Sequence, residues 1–201
     1  MKPSVWLVIL AAGYSRRMGM RKQLLPIGEE PMLRYVAQKA LRVKAAGVVV
    51  VVNAEFPELA AAIHDLPLIV LSNSESHLGM SSSLRLAVDY LARVSADAGC
   101  MLLADQPGMD PSVIEQVLAD YENSGAPIVQ AAYQGKPGHP VLFSRTVFDE
   151  LQQVTGDQGG RELIKKYAEA RRLVHVPAAE PEDIDVYEDY ERLKEKGGFH
   201  R

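Results

Sequence analysis

The chain has 201 residues, with 47% hydrophobic and 24% charged side chains and a formal net charge of −4. That balance fits a globular domain with a sizeable core and excludes wholesale disorder. The lone cysteine, Cys100, excludes a disulfide framework and a cysteine-built zinc site, and the acidic excess argues against a nucleic-acid partner held by broad electrostatics.

The longest apolar runs, residues 5–12 and 48–52, are too short to span a bilayer, so no membrane partner is expected. No basic–apolar–small leader pattern opens the sequence, and the expected location is cytoplasmic.

Short β-branched runs alternate with amphipathic stretches, the pattern of a mostly parallel sheet covered by helices. Val5 to Leu10 is apolar without alternation and reads as a buried strand. Residues 31–46 read as a helix, with Pro31 in its first turn, Met32, Val36, Ala40 and Val43 on one face, and Gly47 ending it. Val48 to Val52 is a second strand, Phe56 to His64 a short helix, and Leu68 to Leu71 a third strand. Gly79 to Val94 is helical, with Leu84, Val88 and Leu91 in register. Cys100 to Leu103 is a fourth strand. Pro111 to Tyr121 is a helix with Asp110 placed to cap it. Pro127 to Ala132 is a fifth strand and Arg172 to Val176 the last. Further helices are expected at Arg145 to Gln152, Arg161 to Ala170 and Tyr187 to Glu195. No repeat or linker divides the chain, so residues 1–201 are expected to form a single three-layer α/β domain, with 195–201 as a frayed tail.

The most informative segment follows the first strand. Leu10-Ala11-Ala12-Gly13 is succeeded by Ser15, and then by Arg16, Arg17, Arg21 and Lys22. Open α/β sheets bind ligands beyond the carboxyl ends of their strands, where small residues let backbone N–H groups approach phosphate. A Walker A loop fails on spacing, because Met20-Arg21 follows Gly19, and Tyr14-Ser15 breaks a dinucleotide fingerprint. The plain structural alternative is a tight turn followed by a solvated basic loop. Asp105 follows the fourth strand on the same expected rim, where a carboxylate suits Mg²⁺. Asp110 already serves as the helix cap, which leaves Asp105 without a structural duty. Asp185 precedes a short helix and fits a capping role or a metal role equally well. Leu78 to Leu84 opens a helix with glycine and hydroxyl residues, suited either to oxygen binding or to capping by Ser81 or Ser82. His64, His77 and His175 lack partners at metal-ligand spacing and read as surface or core residues, and Cys100 as an inert core thiol.

Leu10-Ala11-Ala12-Gly13, Ser15-Arg16-Arg17-Met18-Gly19 and Lys22-Gln23-Leu24-Leu25-Pro26 together resemble the signature of MobA-like nucleotidyltransferases. Leu103-Ala104-Asp105-Gln106-Pro107, Gly138-His139-Pro140-Val141, Gly156-Asp157-Gln158-Gly159-Gly160-Arg161 and Asp183-Ile184-Asp185 extend the likeness to position 185. They resemble most the molybdenum cofactor cytidylyltransferase branch.

The resemblance implies a Rossmann-like nucleotidyltransferase architecture and transfer of CMP from CTP to the phosphate of a molybdopterin-type cofactor, with Mg²⁺ as cofactor. A molybdenum hydroxylase would receive the product. In catalysis it implies Arg16, Lys22 and Asp105. For the nucleotide it implies Leu10, Ala11, Ala12, Gly13, Arg16, Lys22, Gly79 and Ser83, and for the acceptor His139, Asp157 and Arg161. For the metal it implies Asp105 and Asp185, with Asp183 as the weaker candidate. Arg161 fits a solvent-facing helix position equally well. Ala12 stands where the GTP-using branch usually has glycine, which favours CTP. Guanylyl transfer, a sugar- or alcohol-phosphate acceptor, and a non-catalytic nucleotide- or cofactor-binding chaperone are the alternatives.

Overall fold

The computed structural model describes residues 2–195. The expected tail therefore lies outside the described residues, apart from Glu195, which is the last residue of a helix. In chain order the elements are β1 (Val5–Ala11), β2 (Pro26–Ile27), β3 (Glu30–Pro31), α1 (Met32–Leu41), β4 (Gly47–Asn53), α2 (Pro57–Ala61), β5 (Ile69–Asn73) and α3 (Met80–Arg93). There follow β6 (Ala98–Leu103), α4 (Pro111–Ser124), β7 (Ile128–Tyr133), β8 (Lys136–Ser144), α5 (Phe148–Leu151), α6 (Arg161–Lys166), β9 (Arg172–Val176) and α7 (Tyr187–Glu195).

Seven strands form one sheet in the order β5-β4-β1-β6-β8-β7-β9, and only β8 runs against the rest. β1 is an interior strand between β4 and β6, with Leu7 opposite both Val48 and Cys100. Alternation along the strands feeds two apolar layers. Leu7 and Ile9 of β1 and Val48, Val50 and Val52 of β4 pack against α1, α2, α4 and α7. Val8, Val49 and Val51 pack on the opposite face against α3, α5 and α6. The expected three-layer α/β domain with a mostly parallel sheet is what forms. No helix among the described residues is long and apolar enough to cross a membrane.

Strand β8 is the main departure from the sequence reading. Two prolines and a glycine between Lys136 and Val141 disqualify the run as an ordinary interior strand. The fold accommodates them in a bulge, since the β7 register shifts between Gln130 and Ala132 and pairing with β6 begins only at Val141. Side chains replace the missing ladder there. Gln130 Nε2 donates to the Gly138 carbonyl at 3.0 Å, and Tyr133 Oη donates to the His139 carbonyl at 2.7 Å.

Helix α1 is shorter than expected and ends at Leu41, while Pro31 stands at its N-cap and not in its first turn. Gly47, expected to end that helix, instead opens β4. A Cβ at Gly47 would lie 2.5 Å from the Trp6 ring, so the glycine makes room for the indole. Asp110 caps α4 as expected, its Oδ1 accepting from Ser112 N at 2.8 Å.

Candidate active site

Parallel strands bring the ends of β1, β4, β5 and β6 to one rim, and a cavity of about 440 Å³ opens beyond them. Of the residues expected at the site, Leu10, Ala12, Gly13, Arg16, Lys22, Gly79, Ser83, Asp105, Asp157 and Asp185 line this cavity. Ala11, His139, Arg161 and Asp183 do not.

The loop after β1 is held open by Gln23, which is buried. Its Nε2 donates to the carbonyls of Ala11 at 3.1 Å and Gly13 at 2.9 Å, and its Oε1 accepts from Ser15 Oγ at 3.1 Å. The Ala11, Ala12 and Gly13 carbonyls are all engaged with the protein, the second by Asn53 Nδ2 at 3.5 Å, while Ala12 and Gly13 line the cavity. Arg21 serves the loop itself, with its guanidinium 3.3 Å from the Phe56 ring centroid and an Nη1 donating to the Tyr14 carbonyl. Arg16 lines the cavity and lies 5.2 Å from the Tyr14 ring centroid.

At the charged end Lys22 joins two carboxylates. Its Nζ lies 2.6 Å from Asp105 Oδ2 and 3.0 Å from Asp185 Oδ1, and Arg17 pairs with the other Asp185 oxygen at 2.8 Å. Burial alone would lower the Lys22 pKa, but the Asp105 and Asp185 carboxylates outweigh it and hold the ammonium above its ordinary range. Burial pushes the Asp185 carboxyl up, and the Lys22 and Arg17 contacts reverse this to leave it depressed. Asp105 Oδ1 is buried and has no hydrogen-bond partner among the described residues.

That orphaned oxygen, and a cationic group already seated between two hard oxygen donors, fit a divalent cation that keeps waters and substrate oxygens in its shell. Among the described residues no cluster of three or more His, Cys, Asp or Glu side chains could form an all-protein cage. Asp183 turns to Gln106, whose Nε2 donates to its Oδ1 at 2.9 Å, and burial with the nearby Asp105 charge raises its pKa.

The opposite end presents amide and hydroxyl groups, with the Asp157 carboxyl at its border. Asn73 Oδ1 accepts from the Glu75 N–H at 2.8 Å, which fixes the amide so that Nδ2 faces the serines. Nδ2 then donates to Ser82 Oγ and Ser83 Oγ, both at 2.9 Å. Ser82 passes its proton to the Gly79 carbonyl, and neither Ser81 nor Ser82 caps α3. Ser83 lies on the cavity wall, and among the described residues no acceptor takes its hydroxyl proton.

Gly79 precedes the helix with φ +90°, and a Cβ there would lie 2.2 Å from Asp157 Oδ1. Asp157, expected on the acceptor side, thus sits directly against the start of α3.

His139 lies in the β8 bulge. Burial pushes its pKa down to about 4, with the Asp105 carboxylate opposing and the Arg161 guanidinium reinforcing the shift. It is therefore neutral at pH 7, while Arg161 is exposed at the start of α6.

Nine further residues reach the cavity outside the expected set, among them Arg17, Gln23, Ser76 and His77. Arg17 and Gln23 flank the expected residues within the same motif, a signal that was available. His77, read as a surface or core histidine, is exposed on the cavity wall through the turn before α3, and nothing in its sequence context marks it.

The MobA-like NTP transferase domain family matches residues 7–172. The purine catabolism protein PucB of Bacillus subtilis is 30% identical over 198 residues, covering 93% of this chain and 94% of PucB. A molybdenum cofactor guanylyltransferase of Rhodobacter capsulatus is 30% identical over 112 residues, 56% of each chain. The crystal structure of Rv0371c from Mycobacterium tuberculosis in complex with manganese superposes with a TM-score of 0.80 at 30% identity, covering 96% of this chain and 98% of that one.

Proposed function

The chain belongs to the MobA-like NTP transferase family, and from that premise we propose that it moves CMP from CTP to the phosphate of a molybdopterin-type cofactor, releasing pyrophosphate. The observation that carries this reading is the joining of Lys22, Arg17, Asp105 and Asp185 at one end of a cavity whose other end presents the Ser83 hydroxyl and the N-terminus of α3, bordered by Asp157. A nucleoside triphosphate has the same polarity. The molybdenum acceptor is supported by the R. capsulatus relative, whose name states that chemistry.

Nucleotidyl transfer asks little covalent chemistry of the protein, and positioning with charge stabilisation carries it. Arg16 and Lys22 bind the triphosphate and stabilise the leaving pyrophosphate, with Arg17 beside them. Asp105 and Asp185 would hold Mg²⁺, which supplies charge neutralisation at the reacting phosphate when bound. Ala12 and Gly13 backbone groups and the Ser83 hydroxyl orient base and ribose.

On the acceptor side Asp157 orients the pterin portion. Neutral His139 acts as a hydrogen-bonding group and Arg161 supplies the positive charge for the acceptor phosphate. The product would pass to a molybdenum hydroxylase.

The methyl group of Ala12, on the cavity wall, narrows the space beside the base and favours the smaller cytosine, an effect of modest size. Guanylyl transfer is the second reading, because the R. capsulatus relative bears that name. Pyrophosphate release with Mg²⁺ and isolated molybdopterin-type cofactor tests both. A kcat/KM higher for CTP than for GTP is expected. The reverse order overturns cytidylyl transfer alone, and no release from either nucleotide overturns the reaction.

A further inference from the structure

We infer that Lys22 is the resident counter-ion of the two-carboxylate site and makes divalent-cation binding depend on nucleotide. The inference rests on the reading of Asp105 and Asp185 as metal-holding groups. Their oxygens Asp105 Oδ2 and Asp185 Oδ1 are the two atoms that Lys22 Nζ occupies, at 2.6 Å and 3.0 Å. A dication bridging those two oxygens would fall in the space between the carboxylates that the ammonium fills, so one displaces the other.

The surroundings are built to keep Lys22 there. The residue is only 9% exposed. Its backbone is pinned, with its N–H donating to Ser15 Oγ at 3.2 Å and its carbonyl accepting from Leu25 N at 3.1 Å. The two carboxylate segments are tied together by the Ile184 N–H, which donates to the Asp105 carbonyl at 2.9 Å. The side chain of Lys22 is therefore the part free to move.

Charge decides when it moves. Asp105 and Asp185 balance Lys22 and Arg17, so this four-residue cluster carries no net charge without ligands. A dication arriving alone would expel the ammonium with no anion to receive it, leaving an excess of two positive charges in a partly buried site. Arriving with a triphosphate, the dication takes the carboxylates while Lys22 and Arg17 turn to the phosphates, and every charge keeps a partner. Cation and nucleotide then bind with positive coupling, equal in both directions by linkage. The ammonium thus serves as a stand-in for the metal in the empty enzyme and as a phosphate ligand in the loaded one.

The test is Mn²⁺ binding, counted as Mn²⁺ retained with the protein in equilibrium dialysis against a protein-free CTP control, with and without saturating CTP and with no acceptor present. Wild type should bind Mn²⁺ at least about tenfold more tightly with CTP. Lys22→Gln should bind Mn²⁺ alone at least about tenfold more tightly than wild type and show a smaller gain from CTP. Lys22→Arg, which keeps the charge, should not gain affinity for Mn²⁺ alone. Equal Mn²⁺ affinity of Lys22→Gln and wild type without nucleotide, with CTP-dependent binding intact in wild type, overturns the role of Lys22 only. Absence of protein-bound Mn²⁺ in wild type even with CTP overturns the metal reading and this inference together. Should Lys22→Gln not fold, wild type decides, since Mn²⁺ affinity unaltered by CTP refutes the coupling.

Discussion

At the scale of single residues, Asp105 carries the sharpest expectation because its two oxygens have different fates. Oδ2 is paired with Lys22, whereas Oδ1 is buried with no partner among the described residues, an arrangement a protein rarely keeps without a use for it. Helix capping does not explain it, because Asp110 performs that duty for α4. Asp105→Asn preserves shape and removes the charge. Pyrophosphate release should fall by about a hundredfold or more. Lys22 retains Asp185, so the melting temperature should drop by no more than about 5 °C. Turnover close to wild type in a folded Asp105→Asn protein would remove the residue from the metal site. The same elimination could be made from sequence, since it needs only Asp110 followed by Pro111. The Lys22 contact could not be read that way. It joins positions far apart in the chain, and basic residues next to a glycine loop point to phosphate and not to protein carboxylates.

At the scale of elements, the parallel strands and the larger helices were readable because their signals are local, a continuous apolar run or a helical repeat of apolar positions. Strand β8 was not readable, because Pro137, Gly138 and Pro140 break the local pattern and their cost is met by Gln130 and Tyr133 from the neighbouring strand. A tertiary contact overrode the sequence signal there. Site geometry shows the same limit at Gly79. Its place at the head of α3 was visible, but its contact with Asp157, which brings the expected acceptor segment against the expected nucleotide segment, was not. That contact makes a prediction separable from backbone strain. Gly79 and Gly125 both have positive φ, +90° and +61°, but only Gly79 is crowded, with a Cβ falling 2.9 Å from the Gly156 backbone as well as against Asp157. Gly125→Ala should cost about 1 kcal/mol for the left-handed conformation alone. Gly79→Ala should cost about 2–3 kcal/mol, because the 156–158 turn must also move. Urea denaturation of both variants measures the difference, and equal losses would mean that the turn yields freely.

At the scale of the whole molecule, the half-buried His139 of β8 links acidity to global stability. His139 lies just ahead of Val141, where pairing with β6 begins, and is only partly exposed, so it must be protonated in place or by opening of the strands around it. Burial lowers its folded pKa to about 4, against an ordinary value of 6.5. The folded state therefore binds fewer protons than the unfolded state between those values, and stability falls as pH drops through that window. The full effect, present above pH 6.5 and lost by about pH 4, is on the order of 3 kcal/mol. Two neighbours work the other way. Burial raises the pKa values of Glu180 and Asp183, so the folded state takes up their protons more readily and is favoured as pH falls. The wild-type curve alone mixes these contributions, and His139→Gln separates them, since glutamine keeps a neutral polar group and does not titrate. Between pH 7.5 and pH 4.5, wild type should lose about 2–3 kcal/mol more than His139→Gln, read as the difference between their urea midpoints at the two pH values. Parallel losses in the two proteins would show that His139 is protonated within the intact sheet, and the neutral hydrogen-bonding role assigned to it beside the acceptor would fall with that result.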